Sequence, residues 1–118
     1  MSLLYLIGLA ILGAVVATCL VAFWDEIRMW LNNTAANAVE RVLGYGARER
    51  MHRATARIDR VMDKIRNRTV VYTKRSELDS FYDKTTLVSE ESIYEISDDI
   101  INEINYRGVL IQEFEYRN

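Results

Sequence analysis

Arg53, Arg57, Arg60 and Lys64 follow one another every three or four residues, with Arg50 just ahead of them. A row of cations at that spacing can neutralise phosphates, whether on a nucleic acid, a nucleotide or anionic lipid headgroups. The aromatic side chains that would stack on single-stranded bases are missing from residues 47–68. Other chemistry is sparse. His52 is the only histidine and Cys19 the only cysteine, so one chain cannot build a Cys/His zinc site. No Gly-rich phosphate loop and no calcium-loop spacing occurs. Glu95, Asp98, Asp99 and Glu103 are close in sequence, but neighbours on a helix point in different directions. Nothing pairs His52 with a nucleophile and an acid. This set of residues predicts a non-enzyme with no metal and no cofactor.

Gly44-Tyr45-Gly46 has the composition of a potassium-channel filter. The filter pattern needs a preceding Thr-Val and a second membrane helix to hold its carbonyls at membrane depth. Val42-Leu43 precedes the string here and Arg48 follows it. Two glycines that close together weaken a helix, so Gly44 and Gly46 are read as a hinge.

Leu3 to Trp24 is a run of twenty-two residues without a charge. As a helix it would be ~33 Å long, enough for a ~30 Å hydrocarbon core. The reading is a single transmembrane helix at 1–24. Arg28 and Arg41 follow it and no Lys or Arg precedes it, which places the N-terminus outside and the C-terminal domain in the cytoplasm of a cell membrane. Trp24 and Trp30 would sit at the headgroup layer. Small residues at Ala10, Gly13, Ala14, Ala17 and Thr18 would let helices pack closely in lipid, an oligomerisation face.

The net charge of −2 conceals a segregation: −2 over residues 1–40, +6 over 41–68 and −6 over 69–118. Met51, Ala54, Ile58, Val61 and Ile65 are spaced 3, 4, 3, 4, the apolar stripe of a helix and a second oligomerisation seam. The expected order is a juxtamembrane amphipathic segment and hinge at 25–46, then a domain at 47–118. That domain comprises a basic helix 47–68, a strand 69–73, a short helix 76–83, an acidic helix 89–106 and a strand 109–116. The fold class is mainly α: one transmembrane helix plus a small α+β domain with two long amphipathic helices and a two-stranded sheet. The basic and acidic helices would pack on each other, with apolar burial carrying the contact because surface ion pairs add only ~0–1 kcal/mol each.

In layout, a short apolar segment joined to a small charged domain, the chain resembles the small membrane-anchored effectors of bacterial anti-phage systems. The resemblance implies a homo-oligomer that forms a pore or perturbs the membrane, gated by its cytoplasmic domain. The alternatives are a non-conducting scaffold bound to a protein partner, and nucleic-acid or nucleotide binding by the basic helix. Membrane lipid, further copies of the chain and an anionic ligand are the expected partners.

Overall fold

The computed structural model describes residues 2–7, 20–76 and 81–116. Its centre is a five-stranded sheet in the order β1-β4-β3-β2-β5. The strands are β1 (Ser2–Ile7), β2 (Met51–Val61), β3 (Lys64–Lys74), β4 (Tyr82–Ser92) and β5 (Val109–Glu115). Neighbours from β4 to β5 are antiparallel, and β1 joins β4 in parallel at the far edge. Two helical elements cover one face. The first is a continuous helix of α1 (Leu20–Trp30), a π turn (Leu31–Ala35) and α2 (Ala36–Leu43). The second is α3 (Asp98–Arg107), between β4 and β5.

Alternation along the strands decides the faces. Ala54, Ala56 and Ile58 on β2, Ile65 and Val71 on β3, Leu87 on β4, and Leu110 and Phe114 on β5 are buried under the helices. Phe23, Ile27, Trp30, Leu31, Ala35 and Val39 of the long helix close the core, with Ile100 and Ile104 of α3. Each large apolar side chain buried this way contributes ~1.5–3 kcal/mol.

The π turn keeps the helix on the sheet. From Phe23 to Val39, an uninterrupted α-helix at about 100° per residue would turn the apolar stripe by about 160°. Absorbing one residue in the π turn reduces that to about 60°, so both ends of the helix face the core. The helix therefore runs unbroken through Asn32-Asn33-Thr34, and Asn33 Nδ2 donates to the Met29 carbonyl at 2.8 Å.

The structure corrects the mainly α reading and the membrane placement. Among the described residues no helix is long and apolar enough to cross a membrane. The run Leu3–Trp24 begins as strand β1 and ends inside a helix whose Phe23 is buried on the sheet, so it is not a single span. The single-pass, cell-membrane and channel readings go with it. A stretch is apolar throughout when it must be buried, and burial under a protein layer leaves the same composition as burial in lipid. Trp24 and Trp30 accordingly serve the core: Trp30 is buried, and Trp24 stands edge-on to Phe23 and Phe114 at 5.3 and 6.2 Å. Ala10, Gly13, Ala14, Ala17 and Thr18 lie outside the described residues.

The expected basic helix 47–68 is instead a short 3-10 turn (Ala47–Arg50), β2, and the first half of β3. The expected strand 69–73 is the second half of β3. Of the short helix expected at 76–83, residues 77–80 lie outside the described residues, and Tyr82 and Asp83 open β4. The acidic helix 89–106 becomes the end of β4, a 3-10 turn (Ile93–Glu95) and α3, whose N-cap is Ser97. Ser97 Oγ accepts from Ile100 N–H at 3.4 Å, with Asp98 and Asp99 in the first turn where the helix dipole favours them. The strand at the C-terminal end pairs with β2, not with 69–73.

Candidate anion-binding face

The face of the sheet away from the helices carries the cations. Cross-strand register arranges its side chains in rows. Arg53, Tyr72 and Lys84 form the first row; Thr55, Val70 and Thr86 the second; Arg57, Arg68 and Val88 the third; Asp59, Arg66 and Glu90 the fourth. Rows of one face are two residues, or ~6.8 Å, apart along the strands.

In the first row, two cations share one aromatic ring. The Arg53 guanidinium lies 4.3 Å and the Lys84 ammonium 5.5 Å from the Tyr72 ring centroid. Attraction to the negative face of the ring holds both groups near it at little cost in exposure. Arg53 also meets Glu113 of β5 at 3.5 Å. In the fourth row the positive charge is answered locally. Arg66 forms a two-pronged pair with Asp59 at 3.0 and 3.2 Å, and Lys64 reaches Glu90 at 3.8 Å.

The third row is different. Arg57 and Arg68 are direct cross-strand partners, both exposed, and neither has a carboxylate partner among the described residues. Like charges placed opposite each other on a sheet are destabilising. The fold nevertheless places the two arginines at directly opposed positions on one face.

The residues singled out in the sequence separate into distinct settings. Arg53 and Arg57 share this face. Lys64 lies beyond its acidic row, in the Glu90 pair. Arg60 leaves the face: its Nε donates to the Met62 carbonyl at 2.8 Å and its Nη1 to Asn105 Oδ1 at 3.4 Å. Arg50 is spent on the Lys74 carbonyl at 3.0 Å. Arg66, Arg68, Lys84 and Tyr72 were missed because they lie on other strands; the signal was the alternation Lys64, Arg66, Arg68, which has the period of a strand. The apolar seam is no seam: Met51, Ala54, Ile58 and Ile65 are in the chain's own core, and only Val61 is exposed. Gly44 and Gly46 form the exit from α2, both at positive φ, 102° and 85°, where glycine is the unstrained choice. Tyr45 between them is 96% exposed and builds no filter.

The inner face of β3 and β4 holds a second polar group. Asn67, Thr69, Thr73, Thr85, Ser89 and Glu91 are all buried. Thr69 Oγ1 donates to Asn67 Oδ1 at 2.6 Å, whereas Asn67 Nδ2, the hydroxyls of Thr73, Thr85 and Ser89, and Glu91 Oε2 have no partner. Among the described residues no three His, Cys, Asp or Glu side chains are grouped to hold a metal ion. No protein-family model, curated protein or solved structure matches the chain.

Proposed function

We propose that this domain is a binding module whose outer sheet face holds a polyanion, namely a single-stranded nucleic acid. The observation that carries the reading is the unanswered Arg57–Arg68 pair. A fold that sets two guanidiniums opposite each other incurs a repulsion that a bound phosphate would relieve, and Arg suits phosphate because it donates in a fork. The second cation cluster, Arg53 with Lys84, is two rows away, ~14 Å along the strands. One phosphate cannot span that distance; a phosphodiester chain can. The Tyr72 ring inside the first cluster supplies a surface on which a base can stack, and base–aromatic stacking contributes ~1–3 kcal/mol. Thr55 and Thr86 between the clusters add hydroxyls for the backbone. The acid-paired fourth row ends the track.

Fluorescence anisotropy with a labelled single-stranded oligonucleotide, titrated at several salt concentrations, tests this. Three phosphate contacts, from Arg57, Arg68 and Lys84, predict a slope of log affinity against log salt of roughly −2. Arg57→Gln with Arg68→Gln should flatten the slope by roughly one to two and weaken binding. Affinity that ignores both salt and these substitutions would sink the reading.

A further inference from the structure

We propose that β5 is a dimerisation edge, on which a second copy of the chain adds its own β5 in antiparallel register centred on Gln112. Among the described residues the sheet order leaves β5 with one strand partner, β2. Its side chains at the free edge are open: Ile111 is 56% exposed, and Gln112, Glu113 and Glu115 are exposed. The strand has seven residues, with no proline and no inward-pointing charge to blunt the edge; its two charges, Glu113 and Glu115, lie on the outer face.

Hydrogen-bond parity identifies which backbone groups are free. Tyr116 N–H donates to the His52 carbonyl at 2.9 Å, and the same register pairs Phe114 with Ala54, Gln112 with Ala56 and Leu110 with Ile58. In an antiparallel ladder these alternate residues turn their N–H and C=O groups toward β2. The groups of Val109, Ile111, Glu113 and Glu115 therefore point out of the sheet. A self-paired edge must bring residues of this second set opposite one another.

Charge selects the register. Centring on Glu113 would set that carboxylate against its own copy, which is destabilising. Centring on Ile111 leaves Glu115 beyond the end of the partner strand. Centring on Gln112 pairs Ile111 with the second copy's Glu113 and Val109 with its Glu115, and uses all four outward residues. On the inner face the same register sets Leu110 against the second copy's Phe114, and the two Gln112 amides against each other across the dyad. The strand reads V-L-I-Q-E-F-E, apolar before the glutamine and acidic on its outer face after it, so in this register no carboxylate stands directly opposite another.

The dyad of an antiparallel edge is perpendicular to the sheet, so both outer faces look the same way. The two Arg57–Arg68 pairs would then share one surface, three strand spacings and a two-residue offset apart, roughly 16 Å. The dimer itself does not depend on nucleic-acid binding and is tested without it.

The experiment is the mass of the full chain in solution by light scattering over a range of concentrations, for the native sequence, Ile111→Glu and Ile111→Lys. Native protein should reach twice 13.7 kDa. Ile111→Glu, which puts a carboxylate opposite Glu113 of the second copy, should stay at 13.7 kDa with unchanged circular dichroism. Ile111→Lys should keep the dimer, because the new cation meets that same carboxylate, and its cost opposite Arg57 of its own chain falls equally on monomer and dimer. A native protein that is monomeric at every concentration overturns the proposal, as do two Ile111 variants that behave alike.

Discussion

At the scale of single residues, the interior of this domain is built with polar side chains that lack partners, and one of them makes a pH prediction. Tyr116 is packed beside the end of β2, and its hydroxyl has no hydrogen-bond partner. Burial pushes its phenol up from the ordinary 10.0 to about 12, partly offset by the positive charge of Arg28. A raised phenol pKa means the folded state holds the proton more tightly than the unfolded chain. The stabilisation is complete below about pH 10 and is lost as pH rises toward about 12, where both states ionise. Alkaline stability curves should fall through that window, and Tyr116→Phe should remove that part of the fall. If the Phe variant loses stability over the window as steeply as the native chain, the phenol is not the group responsible. Glu26 follows the same physics at acid pH: burial raises its carboxyl, and Oε2 has no partner.

At the scale of elements, the hairpin between β2 and β3 explains why the strands were hard to read. Its two-residue turn is Met62-Asp63, with Met62 at φ 59°. No Gly or Asn marks the reversal, the commonest sequence sign of a tight hairpin. Arg60, Lys64 and Arg66 close to the turn, and Ala54 and Ala56 earlier in β2, are all good helix formers. A register irregularity between Met51 and Arg53 also puts Met51 and Ala54 on one face at a spacing of three, which imitates a helix. The true pattern, Ala54, Ala56, Ile58, was legible as alternation only if Ala counted as a core residue. By contrast α3 announced its end at Gly108, and β5 its β-branched and aromatic composition, because those signals are local. The site was half legible: the cations could be counted in sequence, but which of them share a face depended on the period assigned to the segment. Met62 yields the prediction at this scale. An L-residue at positive φ is strained by ~1–2 kcal/mol, and at 86% exposure Met62 gains little from packing. Met62→Gly should therefore raise stability by roughly 1 kcal/mol in denaturant unfolding, once the entropy of glycine in the unfolded chain is deducted. A loss of stability would mean that the Met62 side chain makes a contact that outweighs its strain.

At the scale of the whole molecule, the sheet separates the charge that the sequence keeps in blocks. The basic block supplies the outer face of β2 and β3, while the helices lie on the other side, where α3 turns Ile100 and Ile104 to the core. Charges of the two blocks meet in ion pairs such as Arg53–Glu113 and Lys64–Glu90. Arg57 and Arg68 lie between those ion pairs and keep their charge. One substitution then has two opposite consequences. Arg57→Thr removes the cross-strand repulsion and puts a β-branched residue on a strand, so thermal stability should rise by about 0.5 kcal/mol. The same change removes a phosphate contact, so oligonucleotide affinity should fall. Adding Arg68→Thr should bring little further relief of repulsion, because the pair is already broken, yet should lower affinity again. Thermal melts and anisotropy on the two single variants and the double variant separate the cases. Stability gains that are non-additive, beside losses of affinity that accumulate, are what a pair held apart for a ligand requires. Stability that falls with either single substitution would show that the arginines support the fold, and would remove the main reason for assigning this face to a polyanion.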